Sequence, residues 1–183
     1  MQAEAGGASS EKLRFRDASE LSDAERLKHE AFLRVAIDAA KQEGRPFGAA
    51  IFDSSGKLLS IGINPGANSH AHHSEIVAIQ AAAAAKGRRE LYGCKLYVTA
   101  APCPMCAAAI VWSCIDTVVW GTSIAKLVEM GYGQFSISCQ DIAEAAPPWA
   151  GKIDMIEGLL TDETDPLFEL APLGTWRRDP AAA

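Results

Sequence analysis

Long apolar runs are missing from this chain. The most apolar stretch, Ala107 to Trp112, falls far short of the roughly 18 residues that a membrane-spanning helix requires, so no membrane partner is expected. Basic charge is scarce as well. Seventeen Lys and Arg stand against 23 Asp and Glu, for a net charge of −6. The only basic doublets are Arg88-Arg89 and Arg177-Arg178. Phosphate contacts supply most of the affinity of nucleic-acid binders, so nucleic acid is not expected as a partner and a small molecule is. The first ten residues, Met1 to Ser10, lack the basic-then-apolar order of a secretory signal. An even cysteine set is lacking too: there are five, Cys94, Cys103, Cys106, Cys114 and Cys139, and two of them form a C-x-x-C pair. That favours metal over disulfides and the cytoplasm as compartment.

What is present suits one folded unit. The chain has 183 residues, 49% of them hydrophobic, enough to bury a core but short for two domains. Residues 1–20, rich in Ala, Gly and Ser, read as a flexible N-terminal tail, residues 21–171 as the domain, and 172–183 as a C-terminal tail. Ser22 and Glu25 form a capping box, and the apolar spacing behind them predicts a helix to about Gln42. Phe47 to Phe52 and Lys57 to Asn64 read as a hairpin around Asp53-Ser54-Ser55-Gly56. A helix from His73 to about Lys86 follows, then a strand over Cys94 to Thr99 and a helix that Pro104 starts. Thr117 to Trp120 and Lys152 to Gly158 are the remaining strands. Short helices are expected at Ile124 to Met130, Ile142 to Ala146 and Asp162 to Leu170. Alternating strands and helices argue for an α/β three-layer sandwich with a mixed sheet.

The chemistry gathers between His73 and Cys106. His73-Ser74-Glu75 is followed, thirty residues after the histidine, by Cys103 within Pro102-Cys103-Pro104-Met105-Cys106. One imidazole and two thiolates make a three-ligand zinc site with one position left for water. A purely structural zinc would want a fourth protein ligand, for which His70, His72, Cys94 and Cys114 are candidates. Both ligand groups fall at predicted helix starts, whose dipoles favour thiolate. Glu75, two residues after His73, is suited to carry protons rather than to bind metal. Asn64, Phe47, His72, Ala101, Trp112 and Tyr132 are the candidate substrate-facing residues, with Phe135 beside Tyr132 on a Gly-rich loop.

Residues from about 30 to 121 resemble the cytidine deaminase-like superfamily (the CMP/dCMP deaminase zinc-binding family), in its guanine deaminase and tRNA adenosine deaminase branch. The resemblance rests on Pro46-Phe47-Gly48-Ala49, Gly62-Ile63-Asn64, His73-Ser74-Glu75 with Ala78-Ile79, and Thr99 through Cys106. It implies a three-layer α/β/α sandwich around a mixed five-stranded sheet. It also implies zinc on His73, Cys103 and Cys106, Glu75 as proton shuttle, Asn64 as a substrate contact, and a homodimer. Two stretches depart from the pattern. Ala100-Ala101 stands where relatives usually carry Glu before Pro-Cys, and Gly131-Tyr132-Gly133-Gln134-Phe135 lacks the carboxylate of bacterial guanine deaminases. Trp112 resembles the guanine-deaminase side.

The expected function is zinc-dependent hydrolytic removal of an exocyclic amine from a free nucleobase, nucleoside or related amino-heterocycle, a guanine-like purine first. The alternatives are a tRNA adenosine deaminase, a cytosine-type pyrimidine deaminase, and a zinc-stabilised structural module in which Glu75 is idle.

Overall fold

The computed structural model describes residues 13–65 and 69–171. The N-terminal and C-terminal tails expected at 1–12 and 172–183 lie outside the described residues. Among those described, six strands and six α-helices alternate: β1 (Leu13–Asp17), α1 (Asp23–Gln42), β2 (Gly48–Phe52), β3 (Leu58–Ile63), α2 (Ser74–Lys86), β4 (Lys95–Ala100), α3 (Pro104–Trp112), β5 (Thr117–Thr122), α4 (Ile124–Glu129), α5 (Cys139–Glu144), β6 (Ile153–Glu157) and α6 (Thr161–Glu169).

The strands form one mixed sheet in the order β1-β6-β5-β4-β2-β3. The hairpin strands β2 and β3 pair antiparallel, β2 also runs antiparallel to β4, and the other pairs are parallel. Both faces are covered, which the central strands β2, β4 and β5 anticipate by being largely apolar rather than alternating with polar residues. On β2, Ala49 and Ile51 pack with Ala78, Ile79 and Ala82 of α2 and with Ile110 of α3. The intervening Ala50 and Phe52 pack with Leu33, Ala36 and Ile37 of α1 on the opposite face. This is the three-layer sandwich, with α2, α3 and α5 on one side and α1 and α6 on the other.

The sheet has six strands, not five. The extra one, β1, falls within the tail expected over residues 1–20, and Ala18–Glu20 form a short 3₁₀ turn behind it. Its pattern, Leu13 and Phe15 alternating with Arg14 and Arg16, is that of a weak edge strand. What holds it is a partner far along the chain. The buried Arg16 guanidinium donates to Asp154 on β6 at 2.5 and 3.2 Å and to Glu25 at 3.3 Å. Local sequence carries no trace of a pairing 138 residues away.

Two local devices fix helices on the two faces of the sheet. Ser22 caps α1, its side chain accepting from Glu25 N while the Glu25 carboxylate accepts from Ser22 N. Gly62 on β3 lies directly under the first turn of α2, where a methyl group would collide with the Ser74 carbonyl oxygen and the Ala78 amide. Glycine therefore lets the helix that carries His73 and Glu75 sit close on the sheet.

Candidate active site

Two helix starts meet at the C-terminal end of β4. His73 is the N-cap of α2 and Cys103 the N-cap of α3, both with extended backbone. Pro104 takes the first helical position, where its missing N–H has no intrahelical partner. The turn that follows brings Cys106 back beside Cys103. The Cys103 Sγ stands 3.5 Å from His73 Nδ1, and the Cys106 Sγ 3.4 Å from the same nitrogen. A tetrahedral zinc holding nitrogen at about 2.05 Å and sulfur at about 2.3 Å places those donors about 3.6 Å apart, so the trio fits the ion. Among the described residues no other His, Cys, Asp or Glu joins the cluster. Cys94 and Cys114 are buried elsewhere, and neither supplies a fourth ligand.

The electrostatics suit a cation. Cys103 is pushed down to about 4, first by the hydrogen bond with Cys106 and further by His73. Cys106 is raised, first by Cys103 beside it and then by burial. His73 is raised by its contact with the Cys103 sulfur. Two thiols and an imidazole thus compete for protons that a bound metal would displace from the sulfurs.

Glu75 lies on the first turn of α2, 6% exposed. Burial raises its carboxyl above the usual carboxylate range, although Ser74 Oγ donates to Oε2 at 3.0 Å. It lines a cavity of about 290 Å³ together with His73 and Cys103. Of the residues expected to face a substrate, Phe47, Asn64, Ala101 and Tyr132 line this cavity. Asn64 follows the end of β3, its backbone N–H donating to Phe47 O, and Ala101 is fixed by its N–H donating to Thr122 O at 2.9 Å. Phe135 lines the mouth and is 70% exposed.

Two expected contacts are not in the pocket. Trp112 is 70% exposed at the end of α3, its ring 4.8 Å from that of Trp149. Six residues past Cys106, it lies about 9 Å further along the helix axis, beyond the reach of the cavity. His72 is exposed and also absent from the lining; it closes a turn, its N–H donating to Ser69 O, that leaves His70 facing the cavity instead. The sequence suggests His70 only as a metal ligand. Met105 and Gln134, also lining residues, fall inside the 102–106 and 131–135 stretches, whereas Leu127 lacked any motif to mark it.

Residues 26–122 match the family model described as the cytidine and deoxycytidylate deaminase zinc-binding region. The match spans more than half of the chain, which therefore belongs to that family. Its zinc-binding region is the one just described, with His73, Cys103 and Cys106 positioned to hold the ion. Guanine deaminase of Bacillus subtilis is 33% identical over 113 residues, covering 58% of this chain and 72% of that protein. The tRNA(Ile)-lysidine synthase of Deinococcus deserti is 34% identical over 101 residues, covering 54% of this chain; the chain spans only 19% of that protein's length. A solved guanine deaminase from Nitrosomonas europaea superposes with a TM-score of 0.64 at 26% identity, over 81% of this chain and 85% of that one.

Proposed function

We propose that this chain is a zinc-dependent hydrolytic deaminase that removes an exocyclic amine from a free base, nucleoside or related amino-heterocycle, a guanine-like purine first, and releases ammonia. One observation carries the reading: a buried carboxyl, Glu75, stands beside a three-donor metal cluster that lacks a fourth described ligand, and both face one cavity. A structural zinc module has no use for that cavity or for a carboxyl kept from solvent.

The bound zinc would supply Lewis acidity that activates water at neutral pH. Glu75 takes one proton from that water and delivers it to the ring nitrogen, then carries the remaining hydroxyl proton to the departing amine. Water adds at the amino-bearing ring carbon, the carbon–nitrogen bond breaks, and the ring keeps a carbonyl where the amine was. The raised proton affinity of Glu75 suits a group that must accept and return protons in one cycle. Phe47 offers a flat apolar wall, while Asn64 and Gln134 offer amide donors and acceptors to a ring edge. Apart from Glu75, no carboxylate lines the cavity among the described residues, so ring recognition rests on neutral hydrogen bonds.

The working unit is the domain that reaches Ala171 and begins with β1. A homodimer in the cytoplasm suits the rest of the surface. The five cysteines are free and buried, as a reducing compartment allows. No helix among the described residues is long and apolar enough to cross a membrane. Met105 and Trp112, both exposed, flank the partly exposed Ala108 and Ala109 on one face of α3 and make an apolar strip that a second copy would cover.

The test is ammonia release by zinc-loaded protein from guanine, adenine, cytosine, their nucleosides and an adenosine-containing anticodon stem-loop, with Glu75→Gln as control. Turnover of a free ring, reduced about 10²–10⁴-fold in the mutant while zinc is retained, is expected. Activity on the stem-loop alone would favour the tRNA adenosine deaminase instead. Silence on every compound would sink the enzyme.

A further inference from the structure

Behind the cavity wall lies a small second core that the site residues do not explain. Ala100, Leu127, Met130, Tyr132 and Phe168 form it, with Phe47 packed against them. Ala100, Leu127, Tyr132 and Phe47 also line the cavity, but Phe168 does not. Its side chain, fully buried on α6, touches the wall only from behind. Three rings from segments far apart in the sequence meet there edge to face. Phe47 and Phe168 lie 5.0 Å apart at 69°, Tyr132 and Phe168 5.7 Å apart at 84°, and Phe47 and Tyr132 5.9 Å apart at 86°. These separations and angles lie in the range in which aromatic pairs attract. The Tyr132 hydroxyl closes the arrangement by donating to Phe168 O at 3.1 Å. It is therefore spent on α6 rather than offered to a ligand.

The position of α6 comes from outside the helix. It has no side-chain N-cap, Leu160 enters it with φ 54°, and Pro166 interrupts it. Long-range ties hold it instead. Thr122 Oγ1 donates to Asp165 at 2.7 Å and lies 3.0 Å from Thr164 Oγ1. Gly121 accepts the Thr164 side chain where any Cβ would collide with it. The Thr122 carbonyl at the same point holds Ala101, two residues before Cys103. One strand end thus registers the metal-bearing segment and α6 against each other.

We infer that Phe168 is a positioning residue for the substrate ring: through Phe47 and Tyr132 it sets the depth of the slot, so that α6 governs which ring fits. This rests on the deaminase reading of the cavity. Phe168 touches no substrate. It fixes two rings that do, and shortening it lets both relax backwards into the vacated space.

Phe168→Leu is the test, with guanine and 9-ethylguanine as the paired probes. For guanine we expect KM to rise about three- to tenfold, the loss of an aromatic contact, with kcat within about twofold. Relative to guanine, the ethylated ring should gain in kcat/KM, a reversal that general loosening would not produce. Zinc content and circular dichroism verify the fold. Should Phe168→Leu be too unstable, Tyr132→Phe breaks the tie to the Phe168 carbonyl while keeping every ring, and a rise in KM alone is again expected. A folded, zinc-loaded variant with unchanged KM and unchanged preference, or with a loss confined to kcat, overturns the inference. Failure of the deaminase reading shows separately, as a wild-type protein that releases no ammonia. Titrating both rings into Glu75→Gln, with and without Phe168→Leu, then decides the matter through Kd: an unchanged ratio of the two constants overturns the positioning role, and a shifted one supports it.

Discussion

The metal cluster and the cavity wall are built in opposite ways. All three metal donors and the carboxyl beside them come from 34 consecutive residues, His73 to Cys106, and each is set by the first turn of a helix. The wall is gathered from Phe47, Asn64, Ala100, Leu127, Tyr132 and, behind them, Phe168, which only the tertiary structure brings together. Local construction makes chemistry robust, because a helix start repeats the same geometry wherever it is placed. Distant construction makes selectivity adjustable, since any of several segments can move one side of the slot without touching the metal. That division is in keeping with a chain whose relatives are named for guanine, cytosine and tRNA substrates.

The sharpest way to break this comparison is to remove a donor. Cys106→Ala should lower zinc affinity by more than about 100-fold, beyond what outer-shell substitutions cost, and abolish turnover. Metal analysis after dialysis checks it, and retention of one zinc per chain would mean that the cluster has a further ligand.

A smaller effect probes the layer opposite the metal. Burial holds His29 down to about 4, below its ordinary 6.5, with Nδ1 2.9 Å from Tyr97 Oη. The imidazole is therefore neutral in the fold. Above pH 6.5 neither state binds the proton, and the full stability is present. Between pH 6.5 and 4 the unfolded chain takes up a proton that the folded one refuses, so stability falls as the pH drops, by about 3 kcal/mol in all. Urea unfolding across that window measures the slope, and His29→Gln should flatten it while leaving KM at neutral pH unchanged. A KM that followed the His29 substitution would blur the separation between fold and wall.

Next in size, Gly62→Ala should cost about 1–3 kcal/mol as the added methyl pushes α2 off the sheet. Because α2 carries both His73 and Glu75, kcat should fall with stability. A kcat left intact in a destabilised protein would show that the metal centre tolerates movement of its helix. The smallest effect separates two neighbouring imidazoles. His70→Ala should raise KM by about two- to fivefold through lost wall contact, whereas His72→Ala should leave it unchanged. The reverse order would restore His72 to the pocket.

The helices and the hairpin strands were legible because their signals are short-range. A capping box at Ser22 and Glu25, a proline opening α3 and continuous apolar strands each state a local preference. The first strand was not, since Leu13 to Asp17 looks like a polar tail until Asp154 is placed beside Arg16. Trp112 and His72 were misplaced for a related reason. Each is near a functional residue in sequence, but the length of α3 in one case and a tight turn in the other carry the side chain away from the cavity. Phe168 offered no signal at all, being one apolar residue on an amphipathic helix.

By itself, then, the amino-acid sequence determined the metal and the residues that hold it. Ligand spacing across two helix starts is a local property, and a histidine and two cysteines in that pattern form a donor set for zinc. Only the tertiary structure decided the shape of the slot, the loss of Trp112 from it and the reach of α6 into its selectivity. Those depend on which distant side chains share one volume, and close packing is a property of the folded whole.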